Sequence, residues 1–122
     1  MSITPFEKKS RGISLHGMKK IEVIVAGEHE AMVTDLMKEA NVTGFTLFRN
    51  VSGMGHNGFH EGKLLFNDMA GLVMFLAVGP EEIITKIALG MKTLFEKNSG
   101  VMFVSDVSVA RLDYFSKESP ES

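Results

Sequence analysis

The segment GLVMFLAVG, residues 71 to 79, carries an apolar side chain at every position between its end glycines. A strand sends successive side chains to opposite faces, so Leu72, Met74, Leu76 and Val78 share one face and Val73, Phe75 and Ala77 the other. Neither face offers water a polar group. VMFVSDVSVA, residues 101 to 110, begins the same way, with Val101 and Phe103 opposite Met102 and Val104. Strands apolar on both faces are covered on both faces. Any fold that contains these two segments must therefore supply two layers of cover.

The remaining elements show where one layer comes from. KKIEVIVAG, residues 19 to 27, is rich in β-branched residues and closes on glycine, which predicts the first strand. Met32, Val33, Leu36, Met37 and Ala40 recur at helical spacing and predict an amphipathic helix over 28–40 that stops near Asn41. VTGFTLFRNV, residues 42 to 51, predicts a second strand running into a glycine-rich loop, and 71–79 is the third. Pro80-Glu81-Glu82 places proline in a first helical turn and carboxylates at the positive end of the helix dipole. Ile83, Ile84, Ile87, Ala88, Met91, Leu94 and Phe95 then line one face of a helix ending near 98–100, before the last strand at 101–110. Methionines such as Met32, Met37, Met74 and Met91 read as core packing.

The order strand, helix, strand, strand, helix, strand predicts a ferredoxin-like α+β sandwich. Its four-stranded antiparallel sheet has right-handed crossovers and both helices on one face. No helix remains for the other face. A second copy of the chain must cover it, so a closed homo-oligomer is expected.

The 122 residues suit one domain, read as an extension over 1–17, a folded unit over 18–115 with a loop at about 52–68, and a polar tail over 116–122. A net charge of -2 with mixed signs gives no broad basic field for nucleic acid and no polybasic patch for anionic lipid. Zero cysteines exclude disulfides, thiolate metal sites and cysteine nucleophiles, and no apolar run approaches the roughly 20 residues that span a bilayer. The opening MSITPFEKKSRG lacks a signal-peptide core, and a cytoplasmic setting without membrane insertion is expected.

Chemistry concentrates in GMGHNGFHEG, residues 53 to 62. Gly53, Gly55 and Gly58 satisfy G-x-G-x-x-G, but that pattern holds a pyrophosphate only where a strand passes directly into a helix, and no helical period follows Gly58. His56 and His60, with Glu61, are spaced for zinc or copper on a helix, which four glycines in ten residues oppose. Exposed loop histidines, or histidines that meet a ligand when the loop orders, are the other readings. There is no nucleophile elbow and no fixed carboxylate pair, so an enzyme is not expected. Arg49, Lys63 and Arg111 are solvated surface charges taken singly; together they would suit phosphate or another small anion beside a glycine turn.

MKKIEVIV at the first strand, VTGFTLFRNVSGMG before the long loop and GVMFVSDV in the last strand resemble the PII signal-transduction superfamily over about residues 18 to 112. GFHEGKLLFND is most similar to the loop of the PII-like proteins associated with carboxysomes and bicarbonate uptake. The resemblance implies a homotrimer with adenine-nucleotide sites between subunits. It places Thr46 and the backbone of Gly53, Met54, Gly55 and His56 at the base of the T-loop near ribose and phosphates. Ile24 and Val78 would lie beside adenine, and Gly100 and Arg111 would come from a region of the last strand facing a neighbour. It further implies ADP or AMP with bicarbonate as ligands, and a bicarbonate transporter or carboxysome-related protein as partner. A trimeric copper-tolerance-like metal binder of the same fold is the alternative.

The sequence also departs from the family pattern. Its only tyrosine, Tyr114, lies outside the loop, and only KNSG precedes Val101 where the family has a phosphate loop. The lack of a loop tyrosine opposes uridylylation, and the lack of the phosphate loop favours ADP or AMP over ATP. One extra residue stands between Thr46 and Gly53, and Arg111 falls one residue out of step with the family's arginine.

Overall fold

The computed structural model describes residues 12–55, 58–60 and 71–111. Strand β1 covers His16–Ala26, a 3-10 turn Gly27–His29, helix α1 Glu30–Glu39 and β2 Phe45–Val51. Short strands β3 (Gly53–Gly55) and β4 (Gly58–His60) follow, then β5 (Leu72–Gly79), α2 (Glu81–Phe95) and β6 (Gly100–Val109). The main sheet has the order β2-β5-β1-β6, antiparallel at every contact, and β3 pairs with β4 in a separate ribbon. This is the expected ferredoxin-like α+β arrangement.

Several boundaries differ from the sequence reading, and three of the differences have a visible cause. β1 starts at His16, inside the stretch read as an extension, because β6 is long enough to pair His16 with Val109 and Gly17 with Ser108. β2 starts at Phe45 rather than Val42, because Asn41 and Val42 are used to end α1. Asn41 takes a left-handed φ of 64°. Its N–H donates to the Lys38 carbonyl at 3.0 Å, and the Val42 N–H donates to the Met37 carbonyl at 3.4 Å. That pair of bonds satisfies carbonyls the helix would otherwise leave open. Third, Pro80 stands just before α2 rather than within its first turn, its carbonyl accepting the N–H groups of Ile83 and Ile84 at 3.0 and 3.1 Å.

The core lies between the sheet and the helices. Ile21, Val23 and Val25 of β1 and Val73, Phe75 and Ala77 of β5 pack against Val33 and Met37 of α1 and Ile84, Ile87 and Met91 of α2. Burying a side chain of this size contributes about 1.5–3 kcal/mol, and alternate positions of β1 and β5 supply the helix-facing side of the core. Two of the methionines read as core behave otherwise: Met32 is 53% exposed on α1, and Met74 is half-buried on the face away from the helices.

That second face is apolar, and among the described residues nothing covers it. Ile24, Leu72, Met74, Leu76 and Val78 are half-buried there, with Phe48, Val101 and Phe103 exposed beside them. Lys20 and Glu22 interrupt it, their charged ends 3.8 Å apart.

Candidate functional site

β2 ends in an irregularity just before the short strand β3. Arg49 opposes Val73 and Val51 opposes Leu72, so Asn50 is an extra residue in the ladder, with a left-handed φ of 60°. Arg49 donates from Nε to Glu30 Oε1 at 3.0 Å and from Nη2 to Glu30 Oε2 at 2.6 Å. The hydrogen bond, with the charge behind it, holds the Glu30 carboxyl below its ordinary range against a smaller opposing effect of burial. Beyond the bulge, Gly53 opposes His60, Met54 opposes Phe59 and Gly55 opposes Gly58, giving a narrow ribbon rather than a helix. The dinucleotide reading of the three glycines thus lacks the helix N-terminus it needs. Among the described residues nothing lies within 4 Å of the place a Cβ on Gly53 would take, so packing among them does not explain this glycine.

Ile24, Gly53, Met54, Gly55 and Gly100 gather at one end of the sheet, and Val78, Thr46 and Arg111 each stand apart from them. Ile24 and Gly100 meet at one end of the sheet: the Ile24 carbonyl oxygen lies 3.1 Å from where a Cβ on Gly100 would stand. Gly53 and Gly55, with the Met54 backbone between them, follow β2 at that same end, where Val51 opposes Leu72 and Leu72 opposes Ala26. Val78 lies elsewhere, opposite Lys20, four residues along β1 from Ile24, or about 13 Å at strand spacing. Thr46 sits exposed on β2, the opposite edge of the sheet from Gly100 in β6. Arg111 follows the end of β6, so the strand's length, about 30 Å, separates it from Gly100. His56 lies outside the described residues, as does most of the loop read over 52–68.

A groove of about 540 Å³ runs between α2 and β6, lined by Ile84, Ala88, Leu89, Phe95, Met102 and Val104. It holds none of the predicted ligand residues. No cluster of three or more His, Asp or Glu suited to a metal occurs among the described residues. The bulge at Asn50, the Arg49–Glu30 pair and the β3–β4 ribbon were not read from the sequence. The signal available was the extra residue between Thr46 and Gly53.

The chain is thus a small α+β domain of ferredoxin-like topology with a glycine ribbon at the end of its second strand. The nitrogen regulatory protein P-II family model matches residues 18–114, and the chain belongs to that family. It is similar to CPII, a nitrogen regulatory PII-like protein from Thiomonas intermedia K12, in a structure bound to ADP, AMP and bicarbonate. The two are 40% identical over 87% of this chain and 100% of that one, with a TM-score of 0.80. The apo form of CPII gives 39% identity over 80% of this chain and 97% of that one, with a TM-score of 0.64. A putative PII-like signaling protein from Thermus thermophilus shares the fold at 16% identity, with a TM-score of 0.69 over 83% of this chain and 97% of that one. No curated protein matches the chain.

Proposed function

We propose that the chain is a regulatory sensor that assembles as a homotrimer and binds ADP or AMP together with bicarbonate in the clefts between subunits. One observation carries this reading: the candidate ligand residues stand at separate places on one sheet, Gly100 and Arg111 at opposite ends of β6. No nucleotide spans that distance within a chain. A cleft between two copies brings Ile24, Gly53–Gly55 and Gly100 of one subunit against Thr46, Val78 and Arg111 of the next. The apolar second face supports assembly, since leaving it wet forgoes about 25 cal/mol for each Å² of apolar surface. The similar CPII structures support the ligands, being bound to ADP, AMP and bicarbonate and to ADP and bicarbonate.

In this reading the backbone N–H groups of Gly53–Gly55 cradle the anions, as successive amides in a glycine turn do. The loop over about 52–68 reports occupancy to a target. Bound ligand shifts the loop's population by the difference in affinity between its states, and no other energy is needed. The output we assign is control of inorganic-carbon uptake through a bicarbonate transporter or carboxysome-related protein in the cytoplasm. Isothermal titration with ADP, AMP, ATP and cyclic AMP, with and without bicarbonate, tests the reading. Binding of ADP or AMP that tightens with bicarbonate is expected; no binding by any of them ends it.

A further inference from the structure

Asn50 is passed over by the β2–β5 ladder: two steps along β2, from Arg49 to Val51, match one step along β5, from Val73 to Leu72. Its φ of 60° is a conformation few residues other than glycine adopt, asparagine among them. Such a bulge bends its strand and increases the local twist. On an edge strand that rotation would ordinarily relax toward both sides. Here one side is held, because the guanidinium of Arg49 grips the Glu30 carboxylate, the first residue of α1, through both oxygens. Val51 and the ribbon that begins at Gly53 lie on the side of the bulge that this pair does not hold.

The bulge also settles which way the chain beyond it faces. Side chains alternate, so a regular strand would put Arg49 toward the helices, residue 50 away from them and residue 51 toward them again. Val51 instead opposes Leu72, on the face away from the helices. The extra residue between Thr46 and Gly53 is absorbed at Asn50, and the ribbon keeps the facing that a strand one residue shorter would give it.

We infer that Asn50 and the Arg49–Glu30 pair form the mount of the ligand loop, fixing the direction in which Gly53–Gly55 leave the sheet and thereby the affinity of the site. The inference rests on the reading of Gly53–Gly55 as the ligand cradle. Asn50 and Glu30 act as positioning residues; neither touches ligand. Arg49 acts as the anchor in this arrangement, its Nε and Nη2 edge being turned to Glu30 rather than to an anion.

The test compares Asn50→Gly, Asn50→Val and Glu30→Gln with the unaltered protein by ADP titration, urea unfolding and amide NMR without ligand. Glycine accepts the left-handed backbone and should leave the ADP affinity within about threefold; valine resists it and should weaken ADP by about tenfold in protein that urea unfolding shows to be folded. Glu30→Gln should also weaken ADP. Were Arg49 a direct anion ligand, freeing it from Glu30 would tighten binding, and tighter binding would overturn the inference. Wild-type affinity in Asn50→Val would overturn it too. If the unaltered protein binds no ADP, the sensor reading fails, and the mount is judged on the ligand-free spectra. Amide shifts of Gly53 and Gly55 that move in Asn50→Val but not in Asn50→Gly support it; unmoved shifts in both overturn it. Should Asn50→Val not fold, Glu30→Gln decides by the same readouts.

Discussion

A Cβ added to Gly100 would lie 2.5 Å from Cε1 of Phe95 and 3.1 Å from the carbonyl oxygen of Ile24. The ring can turn away, but the carbonyl belongs to the β1 backbone and cannot move without disturbing the ladder to β6. Gly100→Ala should therefore destabilise the protein by about 1–3 kcal/mol, the usual range for overpacking. Urea unfolding measures this, and an unchanged midpoint would mean that the chain after Phe95 rearranges freely.

Gly90 plays a comparable part between the helices. A Cβ there would meet the Leu36 side chain, including Cγ at 2.9 Å, so the α1–α2 approach depends on this glycine. Alanine favours the helix over glycine by about 1 kcal/mol. Overpacking of about 1–3 kcal/mol opposes that gain. Gly90→Ala alone should be destabilising. In a Leu36→Ala background the same change should become stabilising, because the clash is gone and the helix preference remains. A double-mutant cycle in urea reads the coupling directly, and additive effects would show that the two residues do not interfere.

Most of the architecture was legible because it follows from repeating patterns. The apolar runs of β1 and β5 mark strands and the helical spacing of Ile84, Ile87, Met91 and Leu94 marks a buried helix face, although β5, apolar on both faces, does not show which of them meets the helices. What was missed depends on single events. Asn41 and Asn50 both take left-handed backbone, one ending a helix and one bulging a strand, and neither use is written in a period. Met32 satisfies the helical spacing yet is 53% exposed, since it lies at the margin of the apolar stripe. The pairing of Arg49 with Glu30 joins residues 19 apart in sequence through the packing of α1 beside β2, which only the assembled fold reveals. For the candidate site, the chain showed which residues to consider but not that several of them stand apart on the sheet.

Two of the ion pairs, Arg49–Glu30 and Lys19–Asp106, make opposite pH predictions. The hydrogen bond from Arg49 lowers the Glu30 pKa from its ordinary 4.5. A carboxyl lowered in the folded state stabilises above its unfolded pKa and ceases to do so as pH falls through the folded value. Below pH 4.5 the unaltered protein should lose stability more steeply than Glu30→Gln. Lys19, hydrogen-bonded to Asp106 at 2.5 Å, is instead raised above 10.5. Its contribution is full below 10.5 and is lost as pH rises through the folded value, so Asp106→Asn should flatten the alkaline limb. Both effects are small because solvent screens the pairs. Thermal unfolding across the two pH ranges measures them, and parallel curves for variant and parent would show that the pairs contribute nothing.

The shared cleft can be tested without solving the assembly. Gly53→Val should spoil the half-site at the loop end of a subunit, and Arg111→Ala the half-site that a subunit offers its neighbour. Each variant alone then has no intact cleft. In a trimer of mixed composition, one junction joins the sound loop end of an Arg111→Ala subunit to the sound far end of a Gly53→Val subunit. Two of the three junctions stay defective, so unfolding the variants together in equal amounts and refolding them should restore ADP binding at about a quarter of the sites. Separate refolding should restore none. If both groups of residues served a ligand within one chain, mixing would recover nothing, because no subunit carries both groups intact. Titration of ADP into the co-refolded and separately refolded samples therefore distinguishes a site between subunits from a site within one.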